Sequence, residues 1–231
     1  MVTLISIIIP TFNEEKFLPN LLESIRRQTF RKYEIIIADN FSKDKTREIA
    51  KRFGCKIVDG GLPAVGRNNG ARAAKYNLLL FLDADVELRD KDFLKKLVRK
   101  YQKKHFDLAS GFALSTSENF VALFSNLFLG IFYFMFQFVP FGAFGAFLFT
   151  TRENHDKIGG FDEKLECCED FKYVFDSVRK GSRFAFLTSP IVSVYDRRLN
   201  TETKLKLLQR FIVSLMFSLR FKEKISFKYF G

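Results

Sequence analysis

The 231-residue chain reads as an α/β protein: a doubly wound, mostly parallel sheet flanked by helices, with a C-terminal amphipathic helical tail. Three observations predict this. Short β-branched or leucine-rich runs alternate with segments of helical spacing over residues 1–104, the pattern of a parallel sheet with crossover helices. Polar clusters close the first, second and fourth runs ("PTFNEE", "DNFSKDKT", "DADVE"), where ligands bind in such sheets. Beyond residue 200, apolar side chains fall on one helical stripe beside Lys and Arg. The expected organisation is one α/β domain over residues 1–200 and a basic amphipathic tail over residues 201–231.

The elements follow in order. Leu4–Ile9 is a β-branched run stopped by Pro10, a strand. Phe17, Leu18, Leu21, Leu22 and Ile25 give helical spacing within Glu15–Thr29. Tyr33–Ala38 is a second strand ending at Asp39, and Ser42–Lys45 announces a helix from Thr46 to Phe53, with Gly54 as its C-cap. Lys56–Val58 is a third strand, the Ala-rich Gly66–Lys75 a helix, and Asn77–Leu82 a fourth strand. Asp90 caps a helix to about Lys103. Later, "FKYVFDSVRKG" reads as a helix ending at Gly181.

Composition narrows the class. Hydrophobic residues at 47% suit a globular core, but 30 Phe with no Trp is unusual, and the Phe cluster in residues 120–149 and near the C-terminus. The net charge of +12 is uneven: from Arg197 onward nine Lys/Arg face two Glu, so this tail carries +7 of it. Such a tail suits nucleic acid or an anionic membrane. Cys55, Cys167 and Cys168 make neither a disulfide framework nor a metal-ligand spacing, and a reducing cytosolic setting fits. "MVTLISIIIP" has no basic n-region and no small-residue cleavage site, so it reads as a buried strand rather than a signal peptide.

The chemistry is expected at Asp83 and Asp85. In an extended strand, residues two apart point to one side. Two carboxylates so placed repel, and a divalent cation relieves the conflict; hard oxygen ligands suit Mg²⁺ or Mn²⁺ shared with water and phosphates. An Asp-x-Asp alone also fits a plain turn. A Gly-x-x-x-x-Gly-Lys-Ser/Thr loop is missing from the sequence, as is Gly-x-Gly-x-x-Gly after the first strand, which argues against P-loop nucleotidases and dinucleotide dehydrogenases. Arg67, entering from the start of a helix, would meet a diphosphate together with helix N-terminal amides.

The ordered segments "SIIIPTFNEEKFLPNLLESIRRQTF", "YEIIIADNFSKDKTREIA", "GRNNGARAA", "LLLFLDADVEL" and "IGGFDEKLECCEDFKYVFDSVRKG" resemble family-two inverting glycosyltransferases of the GT-A fold over about residues 1–190. The resemblance implies sugar transfer from a nucleotide-diphosphate donor, a UDP- or GDP-sugar. Pro10, Thr11, Phe12 and Glu14 then correspond to the base and ribose pocket, and Asp39 to the aspartate that bonds the base. Arg67 corresponds to the diphosphate-contacting arginine. Asp83 matches a ribose-side or metal-side acid and Asp85 the metal ligand proper. Glu169 and Asp170 match the catalytic Glu-Asp pair, with Asp170 the usual base. Where many relatives carry a His near "SVYDRR", this chain has Asp196, Arg197 and Arg198, so Arg197 or Arg198 is a candidate for the diphosphate. Glu87 occupies the position of a Gln in relatives that glycosylate polyprenyl phosphate and is a further candidate ligand. His105 and His155 read as structural or surface residues.

Residues 119–151 hold no charge across 33 positions, yet Pro140 and three glycines interrupt them. One crossing of a membrane needs about 20 apolar residues. The metal motif precedes the stretch and the Glu-Asp pair follows it, so crossings must be even in number, and the stretch is too short for two. An interfacial, re-entrant or buried element is expected. With the basic stripe of Leu208, Phe211, Ile212, Leu215, Met216 and Leu219, this predicts peripheral attachment at the cytoplasmic face of a membrane rather than nucleic-acid binding. The acceptor expected is lipid-linked or a saccharide; a polyprenyl-phosphate acceptor would need no strong base. A nucleotidyltransferase, or a non-catalytic lipid-binding module, is the alternative class, and neither accounts for the "PTFNEE" loop and the convergent acids together.

Overall fold

The computed structural model describes residues 3–115, 146–165 and 169–195. The chain runs β1 (Ile5–Thr11), α1 (Leu18–Arg26), β2 (Tyr33–Asp39), α2 (Thr46–Arg52), β3 (Lys56–Asp59), α3 (Pro63–Ala73), β4 (Leu78–Leu82) and β5 (Val86–Glu87). It continues with α4 (Phe93–Lys104), β6 (Leu108–Ser115), β7 (Phe147–Thr151), α5 (Arg152–Ile158), α6 (Glu169–Arg179) and β8 (Phe184–Val194). Among the described residues one eight-stranded sheet has the order β3-β2-β1-β4-β7-β6-β8-β5. Only β7 and β5 run against the others. The mostly parallel sheet expected from the strand–helix alternation is therefore present.

Two apolar layers clothe the sheet. Ile5, Ile7 and Ile9 of β1 turn to one side and pack with Leu21, Leu22 and Ile25 of α1 and Leu94 and Leu97 of α4. Ile8, from the alternate position, turns to the other side with Ala71 of α3, Phe81, Phe161 and Tyr173. The period of two in β1 thus divides the core between the two helical layers.

Several elements differ from the sequence reading. Helix α3 begins at Pro63, three residues before the expected Gly66, because proline is preorganised for the first helical turn. Its glycines serve contact: a Cβ at Gly70 would lie 2.3 Å from Ile8 Cγ2, so the helix sits almost directly on β1. The end of the uncharged stretch, Phe147–Thr151, is a buried strand inserted antiparallel between β4 and β6. Ala84 and Asp85 form a turn rather than continuing the strand. The strand ends at Leu82, and Val86 N donates to Asp83 O at 3.3 Å, closing a turn. The same-side argument from strand geometry is therefore replaced by turn geometry. Residues 119–145 of the uncharged stretch, and the whole basic tail, lie outside the described residues, as do Asp196, Arg197 and Arg198.

Candidate active site

Strands β1, β2, β3 and β4 point their carboxyl ends to one edge of the sheet, and the site residues are built along it. At β4, Asp83 follows the last strand residue. From α3, Arg67 enters one turn after the helix start, and from α6, Glu169 and Asp170 occupy the first two helical positions. Arg67 joins these acids. Its Nη2 donates to Asp83 Oδ1 at 2.8 Å, its Nη1 donates to Glu169 Oε1 at 2.6 Å, and Asp170 Oδ1 lies 3.4 Å from Nη1. The Arg67 side chain is 3% exposed and its guanidinium lies 5.4 Å above the Phe161 ring. Partners 16 and 102 positions away are thus gathered on one fork, which the rigid guanidinium geometry suits.

The electrostatics follow from burial. For Arg67, burial alone would disfavour the charged form, but Asp170, Asp83 and Glu169 outweigh it and hold the guanidinium more firmly protonated than usual. Asp83 is pushed up to about 6, first by burial and then by Asp85 and Glu169, against the pull of Arg67. Its side chain keeps 36% exposure at the site mouth, so solvent moderates the size of that shift without changing its direction. Three carboxylates share the Arg67 cation, and Asp85 and Glu169 add their negative charge to the effect of burial at Asp83.

The resemblance implies Mg²⁺ or Mn²⁺ at Asp83 and Asp85. Among the described residues no three His, Cys, Asp or Glu side chains form a complete metal cluster. Asp83 and Asp85 instead offer two hard oxygen ligands beside Glu169, which fits an ion completed by water and a phosphate. Glu87 is otherwise engaged: it accepts from Tyr195 Oη at 3.0 Å and from Arg89 at 3.3 Å, with Arg27 at 3.6 Å. Tyr195 N also donates to Asp85 O at 2.9 Å, tying the turn to the end of β8.

The second half of the edge surrounds Asp39. Thr11 Oγ1 donates to Asp39 Oδ1 at 2.9 Å, Ser42 Oγ donates to the same oxygen at 2.6 Å, and Ser42 N and Arg47 Nη1 donate to Oδ2 at 3.1 and 3.0 Å. With Asp39 fully buried, its carboxylate staples the 40–46 turn to β1. The expected bond to a base would require these donors to part. The turn interlocks further: Glu14 N donates to Thr46 Oγ1 at 2.7 Å, and Lys43 N donates to Asn13 Oδ1 at 2.9 Å. Glu14 is buried, Pro10 half-buried, and Phe12 stands 56% exposed beyond them. Ser42 reads in the sequence only as part of a helix start, although its bonds to Asp39 span just three positions; Arg47 and Asn68 act over 8 and 93–95 positions and leave no periodic signal.

His155 is one of the two histidines set aside in the sequence reading, and it is structural. It is buried, its Nδ1 lies 3.0 Å from Tyr173 Oη, and burial lowers its pKa to about 4. His105 closes α4 in the left-handed conformation.

The strand order and the acid cluster at its carboxyl edge define the GT-A class of α/β folds. The model for glycosyl transferase family 2 matches residues 6–160, and the chain belongs to that family. Over 111 residues it is 37% identical to the 4,4'-diaponeurosporenoate glycosyltransferase of Staphylococcus haemolyticus, covering 44% of this chain and 29% of that protein. The enzyme of the same name from Staphylococcus aureus (strain bovine RF122 / ET3-1) is 28% identical over 210 residues, 83% of this chain and 54% of that one. The chain thus spans about half or less of these curated relatives. Among solved structures, the mannosyltransferase PcManGT of Pyrobaculum calidifontis in complex with GDP-Man and Mn²⁺ superposes with a TM-score of 0.75 at 18% identity, covering 96% of this chain and 65% of that one. A fragment of S. aureus TarS in complex with UDP-GlcNAc gives 0.70 at 19% identity, over 87% and 61%. At these identities the structural likeness shows the fold.

Proposed function

We propose that this chain is an inverting glycosyltransferase that moves a sugar from a UDP- or GDP-sugar to a lipid-linked or saccharide acceptor at a membrane surface. The observation that carries the reading is the convergence of Asp83, Glu169 and Asp170 on buried Arg67 at the carboxyl edge of the sheet. The solved relatives in complex with GDP-Man and Mn²⁺ or with UDP-GlcNAc support the donor class. On this reading Phe12 offers an exposed ring for the base, while Thr11, Glu14 and Asp39 shape the pocket wall behind it.

Asp170 takes the proton of the acceptor hydroxyl as its oxygen attacks the anomeric carbon. The bond from that carbon to the diphosphate breaks, the diphosphate leaves with the electron pair, and attack from the opposite face inverts the centre. Arg67 holds Asp170 and Glu169 in place for this step. Asp83 and Asp85 would hold Mg²⁺ or Mn²⁺, which when bound neutralises charge developing on the leaving diphosphate. Membrane association rests on the uncharged stretch and the basic tail; no helix among the described residues is long and apolar enough to cross a membrane.

The test is thermal stabilisation of the purified chain by UDP or GDP with and without Mn²⁺, followed by a donor screen in the presence of lipid extract. Metal-dependent stabilisation and transfer are expected. No nucleoside diphosphate raising the melting temperature in Mn²⁺ would sink the reading.

A further inference from the structure

Asp170 and Glu169 begin a helix, and a helix end frays unless something outside it fixes its position. The structure points to Asn68, the residue after Arg67. Asn68 is buried, and its amide grips the backbone of the turn that follows α5. Phe161 N donates to Asn68 Oδ1 at 2.8 Å, while Asn68 Nδ2 donates to Phe161 O at 2.9 Å and to Glu163 Oε1 at 2.8 Å. Pairing with both the N–H and the C=O of one residue leaves a single orientation for the amide.

The turn is shaped for this grip. Gly159 and Gly160 take φ of +87° and +80°, and a Cβ on Gly160 would lie 2.6 Å from Asn68 Oδ1. Phe161, held by the clamp, is buried among Arg67, Tyr173 and Phe81. The Arg67 guanidinium lies over its ring, and Tyr173 stacks against it with centroids 4.2 Å apart at 29°. Tyr173 stands one turn beyond Glu169 and Asp170 on α6 and is pinned from behind by His155. Two adjacent residues of α3 therefore reach the first turn of α6: Arg67 directly through the acids, Asn68 through Phe161 and Tyr173.

We propose that Asn68 is a positioning residue: by clamping the 159–163 turn it sets Phe161 as the spacer between Arg67 and the first turn of α6, and so places Asp170. Its catalytic consequence rests on the glycosyl-transfer reading; its structural part does not. A residue that merely fills space would lower the folded fraction alike whether or not Asp170 is present. A positioning residue acts through Asp170 and falls silent without it.

Two measurements on the full chain test this. Hydrogen exchange of Asn68→Ala, with its fold checked by circular dichroism, should quicken both at 159–163 and at 169–173; quickening confined to 159–163 overturns the proposal. In the kinetic arm, Asn68→Ala should lower kcat roughly 10- to 100-fold, within the range a misplacement of about 1 Å produces, with donor KM changed less than about threefold. In an Asp170→Asn background the same change should cost less than about threefold, because the non-additivity marks residues acting as a unit. Equal losses in the two backgrounds also overturn it. Should Asn68→Ala not fold, Phe161→Leu keeps the backbone clamp and removes the spacer ring, and the same two patterns decide. If the unaltered chain transfers no sugar, the functional reading has failed, and hydrogen exchange still decides the clamp.

Discussion

Replacing Arg67 by Met keeps the side-chain length and removes a buried cation in contact with three carboxylates. Those oxygens lie 2.6, 2.8 and 3.4 Å from the guanidinium nitrogens, and the Arg67 side chain is 3% exposed. Breaking a buried ion pair by removing one partner costs about 3–5 kcal/mol. Here two hydrogen-bonded acids lose their donor, but Asp83 is partly open and rehydrates, so about 3–4 kcal/mol is expected at pH 7.5. That is a large share of the roughly 5–15 kcal/mol by which domains are stable. The loss should depend on pH. Asp83 already titrates near 6 with Arg67 present, and without that attraction its folded value rises further. A carboxylate whose folded pKa lies above its unfolded value stabilises the fold fully below the unfolded value, and this is lost as pH climbs through the folded one. Lowering the pH from 7.5 to 5 should therefore recover about 1 kcal/mol or more of the deficit, the low figure allowing for solvent at Asp83. Urea unfolding followed by far-UV circular dichroism at both pH values measures it. A variant within 1 kcal/mol of the unaltered chain at pH 7.5, or a deficit that grows on acidification, would refute the reasoning.

His155 titrates at about 4 in the fold against about 6.5 unfolded, so the unfolded chain binds more protons between those values and stability falls as the pH drops through them. Its share of the loss from pH 7 to pH 5 is about 2 kcal/mol; the His155→Asn variant should lack that share in paired urea titrations. Gly70→Ala puts a methyl 2.3 Å from Ile8 Cγ2 and should cost about 1–3 kcal/mol by overpacking, read as a lowered melting temperature that Ile8→Val partly restores. Asp170→Asn should cut transfer about 10²- to 10⁴-fold while nucleotide still stabilises the protein; full activity would instead indicate a phosphate acceptor that needs no base. Chelation by EDTA should abolish stabilisation by UDP or GDP, and restoring Mn²⁺ should return it.

The parallel half of the sheet was legible because its strands are short, apolar and bounded by turn residues, a signal that needs no partner. The sequence places the start of α3 at Gly66 because Pro63 reads as a break as readily as a first helical residue, and the reason for Gly70, contact with β1, exists only in three dimensions. Strand β7 was hidden inside a Phe-rich run whose periodicity fits a buried strand and an interfacial helix alike. At the site, residue types were readable and contacts were not. Asp39 reads as the acid that bonds a base, and its contacts with Thr11, Ser42 and Arg47 were not readable from its place after a strand. Asn68 sits beside the arginine in "GRNNGARAA", and its partners lie 93 and 95 positions away, where no spacing rule reaches.

Charge balance explains why these acids are gathered around one arginine. Without Arg67 the first turn of α6 and the end of β4 would repel, since Glu169 and Asp83 each raise the cost of the other's charge. With it, two parts of the chain far apart in sequence are joined by bonds that only the folded state makes. Yet one guanidinium is shared by three carboxylates, a shortfall of positive charge among the described residues, and Asp85 and Glu169 add to burial in raising the pKa of Asp83. An anionic diphosphate entering this edge alone would deepen that shortfall. On the proposed reading, a cation at Asp83 and Asp85 therefore favours the donor and the donor favours the cation, by equal factors, because coupling between two binding events is reciprocal. On the same reading, the excess of acid at this edge would favour a metal–diphosphate pair over either partner alone.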